Sequence, residues 1–240
     1  MLITQLQSKG VGCTIGNMYV GCILYADDLL LISISITEMQ SMVNTCVEEL
    51  HALDMMLNAD KCCIMRVGYR YNCECSPIKI HDKCIPYTCS AKYLGVRLCS
   101  GKKLTIDLQF MKRKFYSAFN GVFHRIARMK DELTALHLIS AYCKPYLLYG
   151  TECFNLTITQ SRSLCHTWLT AVSHIFNVSG NNVNFINTHT CLPNDTLDIA
   201  LHKRRIRFLQ NVMTHSSNPV LKYLAGVFAR RQLISIDLYY

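Results

Sequence analysis

The chain has 240 residues, half of them hydrophobic and 17% charged, a composition that excludes a disordered or fibrous protein and is rich enough in apolar side chains for a sizeable core. Its net charge of +9 is unevenly placed: residues 1–60 carry one base, Lys9, against seven acids, whereas residues 61–240 carry 24 bases against nine acids. An acidic head on a basic body suits a cation site beside a surface for polyanions, and it also suits a solvated surface that leans basic.

The opening residues Met1–Gln7 are too polar for a secretory signal, so the 14 cysteines are expected as reduced thiols in an intracellular protein, nuclear or cytoplasmic. No apolar run approaches the roughly 20 residues of a membrane span. The sequons at Asn155, Asn177 and Asn194 are then without consequence.

In chain order, residues 10–16 alternate small and apolar residues and end in the turn signal Gly16-Asn17. Two apolar runs, Val20–Tyr25 and Leu29–Ser33, then flank the adjacent carboxylates Asp27 and Asp28, which predicts strand, tight turn, strand. Ionised carboxylates inside so apolar a stretch require a partner, because burying them alone costs several kcal/mol or more.

Ser35 and Glu38 form a capping-box pattern, and Met39, Met42, Val43, Cys46, Val47, Leu50, Leu53, Met56 and Leu57 follow at helical spacing. That stripe predicts a core helix of about five turns. Short β-like pieces follow at Cys62–Val67, Ile78–Ile80 and Tyr93–Leu98.

From Leu104 the pattern is helical. Leu108, Met111, Phe115, Phe119, Val122 and Ile126 mark one face, with Lys112, Arg113, Lys114, Arg125, Arg128 and Lys130 on the others. Further helices are predicted at Leu133–Cys143, Thr159–Phe176 and Leu197–Met213, separated by loops such as Gly180-Asn-Asn182. The fold class is therefore α+β, a β-rich head of about 100 residues followed by a basic helical remainder.

Neighbouring strand residues point to opposite faces, so Asp27 and Asp28 can address one point only where the chain bends. There they can bind a divalent cation through oxygen. Phosphoryl transfer by two magnesium ions about 4 Å apart uses such ligands, while the plainer alternative is a pair of exposed turn aspartates.

Tyr25-Ala26-Asp27-Asp28 resembles the YADD hairpin of the reverse transcriptases of non-LTR (LINE-type) retrotransposons. Leu57-Asn58-Ala59-Asp60-Lys61 is similar to that family's LN..K segment, and Tyr93-Leu94-Gly95-Val96 to its YLG(V/I) hairpin, in the family's order. The resemblance implies a partial right-hand polymerase palm over residues 1–100 and a helical thumb with a C-terminal extension over 101–240.

By the same resemblance Asp27 and Asp28 bind Mg2+, Tyr25 lies near the primer terminus, and Lys61 neutralises or protonates pyrophosphate, unless it is only an exposed turn lysine. Tyr93, Leu94, Gly95 and Val96 would position the primer. Lys112, Arg113, Arg125, Arg128, Lys130, Lys203, Arg204, Arg205 and Arg207 would contact phosphates, unless they form ordinary solvated helix faces. The implied partners are an RNA template, a DNA primer and deoxynucleotides.

The family's upstream aspartate strand and its Gln-Gly segment have no counterpart before Leu24, and Asp27 is the first acid in the chain. Asp60, Asp82 and Asp107 lie in the wrong context to substitute. Three expectations follow: the isolated chain does not polymerise, its strands expose an apolar edge, and it represents a fragment whose catalysis requires a complete chain. The alternative is an inactive remnant that at most binds nucleic acid through its basic helices.

Cys73, Cys75, Cys84 and Cys89 match no common two-pair zinc spacing and read as small buried apolar residues. His189, Cys191 and His202 are a weaker zinc pattern.

Overall fold

A computed structural model of the chain describes residues 2–126, 131–178 and 196–236. Helices and small antiparallel sheets make it an α+β protein. Two compact units share the chain discontinuously: one comprises Met1–Ala91, Cys99–Leu104 and Ser217–Phe228, the other Lys92–Leu98, Thr105–Ser216 and Ala229–Tyr240.

The first unit begins with α1 (Leu2–Ser8), the hairpin β1 (Thr14–Ile15) and β2 (Met18–Tyr19), and a second hairpin of β3 (Cys22–Tyr25) and β4 (Asp28–Leu31). Helix α2 (Ile36–His51) follows, with the Ser35 hydroxyl accepting from the Glu38 amide and the Ser33 hydroxyl donating to the Glu38 carboxylate at 2.8 Å. Its buried Met42 and Cys46 pack with Leu6 and Cys22, and its Val43 packs with Ile78, Ile80 and Ile85. Lys9 ties the end of α1 to α2 by donating to the Thr45 hydroxyl at 2.8 Å.

Strands β5 (Lys79–Ile80) and β6 (Lys83–Cys84) pair as a short hairpin. The Gln40 side chain both donates to and accepts from the backbone of Lys79 at 2.8 Å, completing β5's edge as another strand would.

Helix α2 is shorter than its apolar stripe. It stops at His51, the chain turns through a left-handed Asp54 with φ of 54°, and Leu53 and Met56 stand 67% and 88% exposed. A turn therefore overrides the periodicity, and those two residues are not core. Likewise Cys62–Val67 forms no strand, only a bridge of Ile64 to Tyr87.

Strands β7 (Ser90–Tyr93), β8 (Val96–Cys99) and β9 (Thr105–Ile106) form a sheet in that order. The second unit is built from α3 (Leu108–Ile126), α4 (Glu132–Tyr142), α5 (Lys144–Leu148), α6 (Ile158–Phe176) and α7 (Leu197–His215). Phe115, Ile139, Leu147, Leu164, Trp168 and Leu197 belong to its core. Phe115 meets Trp168 edge-on at 6.3 Å and stacks on Phe119 at 6.1 Å, favourable aromatic geometries. Thr157 and Gln160 close a reciprocal capping box at the start of α6. Helix α8 (Pro219–Ile236) ends the described chain.

The predicted loop at Gly180-Asn-Asn182 and the residues His189, Cys191, Asn194, Arg128 and Lys130 lie outside the described residues. Cys73, Cys84 and Cys89 are exposed rather than buried, because they sit in the polar loops and short hairpin beyond the reach of the core.

Candidate functional site

The acid pair stands at the tip of the β3–β4 hairpin. Tyr25 pairs with Asp28 in the antiparallel register, leaving Ala26 and Asp27 as a two-residue turn. Ala26 has φ of 52°, a left-handed conformation that a non-glycine residue adopts at a cost of about 1 kcal/mol or more. Local strain of this kind is retained where the surrounding pairing fixes it.

The hairpin's base is held by backbone bonds from the Ile32 amide to the Gly21 carbonyl and from the Cys13 amide to the Ile32 carbonyl. On one side Leu29 and Leu31 pack against the Met42 and Cys46 cluster of α2. Ile23, Leu24 and Tyr25 remain 44%, 50% and 63% exposed, and among the described residues β3 and β4 form a sheet of two strands alone.

Both Asp27 and Asp28 are exposed. This corrects the reasoning that they are buried and must be compensated: at the hairpin tip water solvates them, and the apolar residues beside them in sequence do not enclose them. The pair nevertheless fits as two oxygen ligands of a hard divalent cation, whose shell water and phosphate oxygens can complete. Among the described residues no group of three or more His, Cys, Asp or Glu side chains is arranged to hold a metal ion.

Lys61 is exposed on the loop after α2, where Asn58 organises the backbone by accepting from the amides of Asp60 and Lys61. The Asp60 carboxylate is engaged by Lys83.

The Leu94-Gly95 turn joins β7 to β8, with both residues left-handed at φ of 45° and 82°, as a type I′ hairpin requires. The Tyr149 hydroxyl donates to the Leu94 carbonyl at 2.8 Å, and a Cβ on Gly95 would lie 3.3 Å from the Tyr149 ring. Tyr149 therefore props the hairpin, a role with no mark in the hairpin's own sequence. Its one available signal is the spacing of Tyr142, Tyr146 and Tyr149 at steps of four and three.

The basic residues divide by how they are held. Lys112 donates to the Ser163 hydroxyl, and Arg113 lies 3.9 Å from the Asp107 carboxylate. Arg204 makes a two-pronged pair with Glu152 at 3.0 and 3.1 Å. Arg205 donates to the Asn155 side-chain oxygen, and burial lowers its tendency to hold a proton. Arg125, Lys203 and Arg207 are exposed. Arg204 and Arg205 thus serve the packing of α7, which removes them from the simple picture of a phosphate-facing triplet.

Residues 3–98 match the family model of reverse transcriptase (RNA-dependent DNA polymerase). This segment is reverse-transcriptase-like. The match covers less than half of the chain and contains Tyr25–Asp28, Lys61 and Tyr93–Val96, while the basic helices fall outside it. Enzymes of that family act on nucleic-acid templates and nucleotides and use a divalent metal. No curated protein and no solved structure matches the chain. No helix among the described residues is long and apolar enough to cross a membrane.

Proposed function

We propose that the chain is a palm and thumb portion of an RNA-directed DNA polymerase of the non-LTR (LINE) retrotransposon type. The observation that carries the proposal is the exposed Asp27–Asp28 pair at a strained hairpin tip inside the family-matched segment. In the complete enzyme Asp27 and Asp28 would hold Mg2+, which supplies charge neutralisation for nucleotidyl transfer. Tyr25, the cross-strand partner of Asp28, would lie near the primer terminus, and the Tyr93–Val96 hairpin would position the primer strand. Lys61 offers a proton or a charge to the departing pyrophosphate. Lys112, Arg113, Arg125, Arg128 and Lys203 are the proposed nucleic-acid contacts, with Arg113, Arg125 and Lys203 exposed, whereas Arg204 and Arg205 are engaged by Glu152 and Asn155.

The second reading is a chain that binds nucleic acid without catalysis. Two features favour it for the isolated polypeptide: among the described residues no further acidic, His or Cys side chain joins the two carboxylates in a metal-binding group, and the apolar residues Ile23 and Leu24, on opposite faces of β3, are both left exposed.

Primer extension on poly(rA) with oligo(dT) tests the first reading, and no synthesis is expected from this chain alone. Cation binding is tested separately with Mn2+, whose paramagnetism should broaden the amide signals of residues 25–29 in the native chain and not in Asp27→Asn/Asp28→Asn. Equal broadening in both would remove the metal role. Synthesis abolished by that double substitution would instead overturn the expected inactivity.

A further inference from the structure

Within the second unit a cavity of about 380 Å³ is bounded by residues of the Gly95–Arg97 hairpin arm, the first turns of α3 and the corner between α4 and α5. Its volume falls in the range of small-molecule sites. Six side chains define its chemistry: Arg97, Phe110, Lys114, Tyr142, Tyr146 and Tyr149.

Two cations meet one ring there. The Arg97 guanidinium carbon lies 4.8 Å and the Lys114 ammonium 4.6 Å from the Phe110 centroid. Both are drawn to the ring's negative face, yet neither is given a carboxylate, since no acidic residue lines the cavity. The Arg97 Nε is buried and has no hydrogen-bond partner among the described residues. A buried guanidinium N–H without an acceptor is unfavourable, and an anion entering the cavity would satisfy it.

The opposite chemistry lies on the α4–α5 side. Tyr142, Tyr146 and Tyr149 are 67%, 41% and 51% exposed, far more than rings of a folded core. Because the Tyr149 hydroxyl is taken by Leu94, that residue offers a ring face rather than a hydroxyl. The wall is aromatic and apolar, and exposed aromatic rings beside a cation are how single nucleobases are held by stacking.

We propose that this cavity binds a planar aromatic ring carrying a phosphate, that is, one nucleoside monophosphate unit. The base stacks on the tyrosine wall, and the phosphate accepts from Arg97 Nε and Lys114 Nζ. The cavity uses neither Asp27 nor Asp28 and needs no metal, but it shares Gly95 and Val96 with the hairpin proposed to position the primer, so this inference deepens that reading while remaining independent of the metal site. The unit has two possible sources, a free nucleotide or an unpaired nucleotide of a strand.

The test is a titration of the whole isotope-labelled chain, without divalent metal, followed by amide chemical shifts. The probes are dAMP, adenosine and a short single-stranded oligodeoxyadenylate. Shifts are expected at residues 95–97, 110–114 and 142–149, with dAMP binding about tenfold more tightly than adenosine, the effect of a charge-assisted hydrogen bond.

Lys114→Gln should weaken dAMP about tenfold and leave adenosine unchanged, and Lys114→Arg should restore most of the loss. Tyr146→Ala, at a ring 41% exposed, should weaken both ligands and gives a second variant should the first disturb α3. If the oligonucleotide shifts these amides and dAMP does not, the source is a strand; if both do, a free nucleotide suffices. The proposal is overturned if neither probe moves these residues, or if adenosine matches dAMP and Lys114→Gln changes nothing. Because Asp27→Asn/Asp28→Asn should leave every one of these shifts in place, failure here and failure of the metal-site reading are separately visible.

Discussion

Replacing Arg204 by Ala should destabilise the chain without weakening its grip on nucleic acid. Arg204 donates from Nε and from one terminal nitrogen to the two carboxylate oxygens of Glu152, at 3.0 and 3.1 Å. Glu152 is 16% exposed and Arg204 41%, so the pair is neither a free surface bridge, worth at most about 1 kcal/mol, nor a fully buried one, whose rupture costs about 3–5 kcal/mol. Solvent screening on the arginine side sets the expected loss at about 2 kcal/mol. With a urea m-value of about 1–3 kcal/mol/M, the midpoint should fall by about 1 M.

A double-mutant cycle with Glu152→Gln isolates the pair, and the double variant should be less destabilised than the two single losses added together. Binding to an RNA–DNA hybrid, followed across a salt series, should keep its slope in Arg204→Ala, whereas Arg125→Ala and Arg207→Ala, at exposed side chains, should each flatten it by about one unit at most and leave the urea midpoint in place. A normal midpoint with a flattened slope in Arg204→Ala would refute the assignment of this residue to packing.

Phe115 is fully buried among Tyr116, Phe119 and Trp168, so Phe115→Ala should cost about 3–5 kcal/mol in urea unfolding, and Phe115→Leu much less. The Asp131 carboxylate caps α4; hydrogen bonds from the Thr134 hydroxyl and amide, then from the Leu133 amide, hold its pKa below the usual carboxylate value. Its contribution is therefore present above about pH 4 and lost as the pH falls through the depressed folded value, so the difference in stability between the native chain and Asp131→Ala should shrink on acidification. The Cys46 thiol, fully buried, is pushed up to about 12 by burial and, secondarily, by Cys22. It should stay silent to Ellman's reagent at about pH 8 until the chain unfolds, while exposed Cys63, Cys73 and Cys84 react at once.

Local chemistry made some elements legible and not others. The β3–β4 hairpin and the start of α2 could be read because their signals are contiguous: two apolar runs around an acid pair, then a Ser35–Glu38 cap. The helices at Leu108, Glu132, Ile158 and Leu197 followed from apolar spacing, whereas the side-chain caps Asp131, Thr157 and Thr196 that begin three of them were not part of that reading. Helix α5 was hidden because Pro145 reads as a break, although proline is well tolerated in a first turn. The exposure of Leu53 and Met56 was hidden because periodicity cannot register that a turn at Asp54 has ended the helix.

For the site, sequence identified which residues bear the chemistry but not which are already engaged. Glu152 lies 52 residues before Arg204, and nothing local announces that the two will pair. The solvation of Asp27 and Asp28 was equally hidden, because runs of apolar neighbours in sequence say nothing of what faces them in space.

The interleaving of the two units sets a timetable for synthesis. Residues Ser217–Phe228 group with Met1–Ala91, so the first unit lacks a component until residue 228 has been translated. At about 10 residues per second the ribosome takes on the order of 10 s to travel from residue 104 to residue 228. Throughout that interval the nascent N-terminal part is an unfinished body with sticky strands, a natural client for a holdase and a vulnerable one in its absence.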